Sequence, residues 1–247
     1  MKITRYRDLS LININKNQTM VIACDSAGGI GSKENDIVKV PPHIVGYFTC
    51  QVPLKEILSV GGEVITIVDT LSVEMDDTGM EIIKGIKRAI EPLDIDEDVI
   101  LTGSTEENFP VCQTGVGITA IGIINDENWE IPKSHRGDLI ISIGLPKVGE
   151  EVIKDNGEII TLPIIKELYS KSYVKEIIPV GSKGIIHEIN EICKNNKLKY
   201  ELYENIKVNI NKSAGPATCG IVTIDKDFYN ELIENFSVPI NILGKIL

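Results

Sequence analysis

Apolar residues recur along this 247-residue chain with two periods, one of two and one near 3.6, and the two alternate. The run TMVIACD (19–25) reads as a strand ending on an acidic residue, and the glycines behind it predict a loop from about Ser26. PLKEILSV (53–60) predicts a helix with Pro53 at its first position and Gly61-Gly62 as its stop. The β-branched run EVITIVDTLSV (63–73) is again strand-like. From Asp77 to Leu93, Met80, Ile82, Ile83, Ile86, Ala89, Ile90 and Leu93 form a helical stripe, with Asp77 or Thr78 as its cap and Pro92 helping to end it. DVILTG (98–103) and QTGVGITAIGII (113–124) predict two strands, and the polar segment NDENWEIPKSHRG (125–137) a linker. Beyond it, GDLIISIGLPK (137–147), a helix over 163–171, VKEIIPV (174–180), a helix over 185–194, KYELYE, CGIVTID, a helix over 226–235 and VPINILGKIL continue the alternation. The pattern predicts an α/β (α+β) protein of two lobes, over 1–133 and 134–247, without a short-period repeat.

Composition narrows the class. Hydrophobic residues make up 43% of the chain but aromatics only 5%, so Ile, Val and Leu must fill the core, as they do in buried strands and the helices covering them. The formal charge of −11 and the lack of a basic stretch argue against nucleic acid, whose phosphates need clustered Lys and Arg. An acidic chain can still take ATP when its carboxylates hold divalent cations that bridge to the triphosphate. The first residues, MKITRYRDLSLININ, have no apolar h-region, and no segment is long and apolar enough for a membrane span, so a cytoplasmic location is expected. Five dispersed cysteines without a CxxC pair predict buried, reduced thiols and neither a disulfide framework nor a zinc site.

Three acidic segments carry the candidate chemistry. In DSAGGIGSK a carboxylate at a strand end, Asp25, precedes Gly28, Gly29, Gly31 and Lys33; glycines let backbone N–H groups approach oxyanions, Lys neutralises charge and Asp can hold Mg²⁺. No GK[ST] closes a Walker A loop, and a plain mobile turn is the competing reading. Asp69 interrupts an apolar strand, where a carboxylate is expensive unless it meets a metal, a cavity or a partner. Glu74, Asp76 and Asp77 behind it read as a solvated turn and helix cap. LTGSTEENFP (101–110) ends a strand in Gly103 and then offers Ser104, Thr105, Glu106 and Glu107, at the kind of strand end where α/β folds bind ligands. Gly115 to Ala120 spells GxGxxA but lies in a strand-like run with no helix behind it, and His43, His135 and His187 are too dispersed to suggest a hydrolase triad.

Taken in order, these segments resemble the superfamily of aminoimidazole-ribonucleotide synthetase, thiamine-monophosphate kinase and selenophosphate synthetase. DSAGGIGSK resembles the DGVGTK motif, EVITIVDTLSVEMD the PLFFLDY segment, LTGSTEENFP the GGETAEMPG segment, and RGDLIISIGLPKVGEE the strand that opens the second domain. The resemblance implies a mixed N-terminal sheet that dimerises and a C-terminal α/β sandwich. It implies ATP and Mg²⁺ as cofactors and a small-molecule substrate. It puts Asp25, Asp69 and Glu107 on metal-binding positions, Lys33 and Asp69 in catalytic ones, and Gly28, Gly29, Gly31, Lys33, Glu56 and Thr105 on the nucleotide. Glu56 stands where the family has Asp, Ser104 replaces the first acid of GGET, and the Gly-rich arm that folds over the triphosphate is short, which leaves phosphate clamping to residues 26–33. YRDLSLI, CDSAGGIG and GSTEENFP are most similar to the α-ribazole kinase branch. A ring-closing synthetase and a catalytically silent nucleotide-binding regulator are the alternatives.

Overall fold

The structure is a computed structural model that describes residues 2–96, 100–127 and 129–247. It divides into two compact units, residues 1–57 with 62–125, and residues 58–61 with 126–247.

The first unit begins with β1 (Lys2–Tyr6) and β2 (Leu9–Asn15), an antiparallel hairpin, followed by β3 (Gln18–Gly28) and the short pair β4 (Ile30–Gly31) and β5 (Val38–Lys39). Then come α1 (Pro42–Ser59), β6 (Glu63–Leu71), α2 (Met80–Ile90), β7 (Leu101–Ser104) and β8 (Gly115–Asn125). Six strands form one sheet in the order β1-β2-β3-β8-β6-β7, antiparallel except for the β6–β7 pair. Alternation along each strand sends Leu9, Leu11, Val21, Ala23, Ile67, Leu71, Val116, Ile118 and Ala120 to one buried face. The core under it is completed by Leu54 and Ile57 of α1 and Ile82, Ile86 and Ala89 of α2.

Several boundaries differ from the sequence expectation. The strand predicted to stop at Asp25 runs on through Ser26, Ala27 and Gly28, because each stays paired with β8 as far as Gly115. Ladder hydrogen bonds outweigh the intrinsic weakness of small residues in a strand. The helix predicted from Pro53 begins at Pro42, with Pro53 inside it; the buried residues Val45, Cys50, Leu54 and Ile57 extend the helix past the bond a proline removes. Asp77 does not cap α2: it adopts φ 66° in a wide turn over Met75–Gly79, and α2 starts at Met80 without a side-chain cap. The strand predicted from 98 begins at Leu101, and Asp98 and Val99 lie outside the described residues. The GxGxxA-like run lies within β8. Cys24 and Cys112 are exposed thiols, unlike buried Cys50, Cys193 and Cys219.

The second unit holds β9 (Leu139–Ile143), α3 (Glu150–Ile153), α4 (Leu162–Ser170), β10 (Val174–Pro179), α5 (Ile185–Asn196), β11 (Tyr200–Leu202), β12 (Gly220–Ile224), α6 (Tyr229–Asn235) and β13 (Ile240–Ile246). Its five strands pair antiparallel in the order β10-β12-β9-β13-β11. Ile185, Ile189 and Ile192 of α5 pack into one core with Ile140, Ile178, Ile221 and Leu243 of the sheet. A buried polar knot fixes the start of the unit: Ser134 donates its N–H and hydroxyl to Glu176, and Asn196 Nδ2 donates to the same carboxylate at 2.7 Å. Both units mix sheet and helix, so the fold class is the α/β (α+β) arrangement expected. Among the described residues no helix is long and apolar enough to cross a membrane.

Candidate functional site

The centre of the candidate site is a single row of the first sheet. Asp25 of β3 and Asp69 of β6 are both in register with Ile118 of the intervening β8, so the two carboxylates share the buried face and stand two strand spacings apart, about 10 Å between Cα atoms. Asp69 is only 4% exposed. Burial pushes its carboxyl up to about 6, against a hydrogen bond from the Ser104 backbone that favours the charged form. The Cys50 thiol of α1 is pushed up to about 12 by burial and by the neighbouring Asp69. Asp25 is likewise raised, by burial, with a smaller opposing effect from the Ser26 backbone. Among the described residues no salt bridge reaches either carboxylate. Two carboxylates raised by burial with no cation beside them would each gain from positive charge brought close.

Asp69 keeps its place because β7 yields to it. Gly103 is its register neighbour, and a Cβ there would come within 2.0 Å of Asp69 Oδ1. A glycine is what allows the carboxylate to lie against the neighbouring strand.

The Gly-rich loop is held at several points. Asp36, 5% exposed, accepts from Lys33 N at 2.8 Å, Thr114 N at 2.8 Å and Thr114 Oγ1 at 2.7 Å. Burial alone would raise Asp36, but the Thr114 and Lys33 bonds outweigh it and hold the carboxyl below its ordinary value. Gly31, at φ 151°, lies beneath this cluster, where a Cβ would meet Thr114 Oγ1 at 2.4 Å. Gly29 donates its N–H to Thr114 O, and Asn35 donates its N–H to Cys112 O, which joins the loop to the segment before β8. Gly28 is exposed at the end of β3. The alternative of a mobile turn does not describe a loop anchored this densely.

Lys33 is aimed by that anchoring. Its Nζ donates to both oxygens of Glu74 at 2.5 Å, and Glu74 also accepts from Thr78 Oγ1 at 2.6 Å. Burial would raise Glu74, but the Lys33 and Thr78 bonds hold its carboxyl below the ordinary value. Sequence reasoning read Glu74 as part of a solvated turn; its partner is distant in sequence, and nothing in the local pattern could have announced it. Asp36 was missed too, although the Lys33-to-Asp36 spacing of three is the signal of a side chain closing a turn on its own backbone.

Glu107 and Thr105 lie on the turn after β7. Glu107 Oε1 accepts from Met75 N and from Thr105 Oγ1, both at 2.8 Å, and Glu106 N donates to Val73 O. Residues 73–78 therefore contact both the Lys33 loop and the Glu107 turn. Glu56, on α1, is gripped by both guanidinium nitrogens of Arg7 at 3.1 and 3.2 Å. Among the described residues no three Asp, Glu, His or Cys side chains converge tightly enough to hold one ion. The structure thus groups Asp25 with Asp69, and Lys33, Thr105 and Glu107 around residues 73–78, while Glu56 is tied to β1–β2 by Arg7.

Comparison with known proteins agrees with this architecture. Residues 6–124 match the family described as AIR synthase related protein, N-terminal domain. No curated protein matches the chain in sequence. Thiamine-monophosphate kinase from Stenotrophomonas maltophilia superposes with a TM-score of 0.68 at 14% identity, over 99% of this chain and 88% of that one. The HypE–HypF complex gives a TM-score of 0.70 at 13% identity over 98% and 89% of the two chains. AaThiL complexed with AMPPCP and TMP gives 0.65 at 13% identity over 97% and 84%. Its first unit therefore carries an AIR-synthase-related N-terminal domain by sequence, and nearly the whole length of the chain follows the fold of these solved structures.

Proposed function

We propose that this protein is an ATP- and Mg²⁺-dependent kinase of a small-molecule alcohol, with α-ribazole, phosphorylated on its 5′-hydroxyl, as the substrate. The observation that carries the reading is the pair of carboxylates, Asp25 and Asp69, raised by burial and left without a cation on one row of the sheet. Such groups gain most from a divalent ion, which supplies the positive charge that joins them to a triphosphate. A spacing of about 10 Å is too wide for two side chains to chelate one small ion, and fits carboxylates flanking a metal–triphosphate group. Relatives of this fold are solved with AMPPCP and TMP and with ATP, which supports a nucleotide as the phosphoryl donor.

The chain's own residues have distinct tasks in this reading. Asp25, Asp69 and, on the adjoining turn, Glu107 would hold the metal ions that accompany ATP. Asp69 or Glu106 is the candidate proton acceptor. Lys33, projected from a loop fixed through Asp36, neutralises charge on the transferring phosphoryl group; Gly28, Gly29, Gly31 and Thr105 line its approach. Phosphoryl transfer needs mainly alignment and charge neutralisation, which fixed side chains supply without reorganising. Residues 1–133 form the ATP- and metal-binding domain in this reading, and 134–247 the C-terminal α/β domain. Two copies pair through the other face of the first sheet, where Ile12, Met20, Ile22, Ile121 and Ile123 are only half-buried.

The test is direct. Purified protein with ATP and Mg²⁺ is offered α-ribazole, thiamine monophosphate and other alcohols, and ADP and product mass are followed. A phosphorylated α-ribazole is the expected product. Tight Mg-ATP binding with no product from any acceptor marks a silent regulator, and a ring-closed product marks a synthetase; either result removes the kinase.

A further inference from the structure

The kinase reading leaves one contact of the site without a task, the grip of Glu74 on Lys33. Both carboxylate oxygens lie 2.5 Å from the ammonium nitrogen, an arrangement in which two anionic oxygens of one group stand where two oxygens of a phosphate would stand. Three features separate this contact from an ordinary surface pair. The Lys33 side chain is 17% exposed and Glu74 35%, so the pair is partly shielded from solvent. The Lys33 backbone is fixed independently of Glu74: its N–H is held by Asp36, and its carbonyl accepts from the Lys39 ammonium. Glu74 has a second holder, Thr78, and its neighbour Met75 donates to Glu107, so the carboxylate belongs to the segment that also reaches the turn after β7.

We infer that Glu74 is a positioning residue that acts through Lys33: it holds the ammonium in place in the nucleotide-free protein and is displaced from it when the triphosphate arrives. The inference rests on the assignment of Lys33 to the phosphate in the kinase reading. A lone lysine on a loop would sample many rotamers and lose that freedom on binding. Pairing with Glu74 keeps the ammonium in one position, and Mg-ATP must then compete with the internal carboxylate. Held by Thr78 and shorter in charge than a triphosphate, Glu74 is the weaker of the two competitors. Its removal lifts the competition but also releases the ammonium.

The two effects separate in steady-state kinetics and binding. Glu74→Gln keeps the shape and one acceptor but removes the charge. It is expected to tighten Mg-ATP binding about threefold to fivefold, the range of a partly exposed ion pair. It is also expected to lower kcat, because the ammonium is no longer pre-set. Glu74→Asp, too short to span both contacts, falls between. In a Lys33→Met background the Glu74→Gln change is expected to have no effect on Mg-ATP affinity, which a merely structural role for Glu74 would not produce. Calorimetric titration with Mg-ATP gives the affinities. Unchanged or weaker binding by Glu74→Gln, or an equal effect in the Lys33→Met background, overturns the inference while leaving the kinase reading intact. Mg-ATP affinity unaffected by Lys33→Met removes the Lys33 assignment and the inference with it.

Discussion

Asp25 and Asp69 lie on opposite sides of Ile118, each its direct partner in an antiparallel ladder, so one backbone register fixes the distance between two carboxylates 44 positions apart in the chain. A slip of one residue in either ladder would turn one of them to the opposite face. The long pairing of β3 with β8, continued through the small residues Ser26 to Gly28, is what makes that slip costly.

A carboxylate that burial raises should weaken the fold. The Asp69 carboxyl has an ordinary value of 3.8 and is pushed up to about 6, so between those pH values the folded state binds the proton more strongly than the unfolded chain. Stability from this group is therefore present at low pH, declines as pH rises toward 6 and stays reduced above it. Two pH units correspond to at most about 3 kcal/mol. Asp69→Asn, still able to accept from the Ser104 N–H, is expected to raise Tm at pH 8 in the absence of divalent ions and to change it little at pH 4. Turnover should be lost. Thermal melts of both proteins with chelator at the two pH values check this; a lower Tm for the variant at pH 8 contradicts the account.

Gly103 is tested by adding a single methyl. An alanine Cβ would lie 2.0 Å from Asp69 Oδ1 and 2.5 Å from the Asp69 carbonyl, both on the neighbouring strand of the ladder. The carbonyl cannot retreat without disturbing the β6 ladder, and the carboxylate can do so only by rotating away from its place against β7. Gly103→Ala is expected to cost about 1–3 kcal/mol, as overpacking does, and to reduce metal-dependent activity more than stability. Urea unfolding beside an ATP-turnover assay gives both numbers. A variant with wild-type stability and activity would show that Asp69 does not depend on this close approach.

How much of this was written in the chain depends on the range of the interaction. Strands with many β-branched residues, such as 63–73 and 113–124, and the helical stripe running from Met80 were legible because their periodicity is local, although the stripe continues to Leu93 and the helix ends at Ile90. The start of α1 was not, since Pro53 looks like a helix opening and only the burial of Val45 and Cys50 beneath the sheet reveals the turns before it. Asp25 and Asp69 could be picked out as acids at costly places, but their common row could not, because it requires knowing that β8, some fifty residues beyond Asp69, inserts between them. Glu74 was hidden for the same reason, its partner being 41 positions away.

The loop that aims Lys33 should fail if its anchor is changed. Asp36 accepts three bonds and is held below its ordinary value by Thr114 and Lys33, so the stability it supplies is present above its unfolded value of 3.8 and is lost as pH falls below it. Asp36→Ala leaves the Thr114 hydroxyl and two N–H groups without partners, at a cost of about 1–3 kcal/mol each where water cannot replace them. Mg-ATP affinity is expected to fall at least tenfold while far-UV circular dichroism stays unchanged. Retained affinity would mean that the loop does not need this carboxylate to present Lys33.

The last expectation concerns the opposite face of the same sheet. Ile22 and Ile121 are direct partners across β3 and β8, flanked by Met20 with Ile123 and by Ile12 of β2, so the half-buried apolar side chains form a patch across three adjacent strands. Covering such a patch gains about 25 cal/mol for each Å² of apolar surface removed from water, and a stable pairing removes about 800 Å² from each partner. A charge placed there adds a desolvation cost to the lost contact. Ile22→Glu and Ile121→Glu are therefore expected to convert a dimer into monomers at micromolar concentration, with the melting transition of the sheet retained because both positions point away from its core. Light scattering coupled to size-exclusion chromatography reads the mass directly. Monomeric wild-type protein at that concentration, or variants that stay dimeric, would remove the sheet face from the interface.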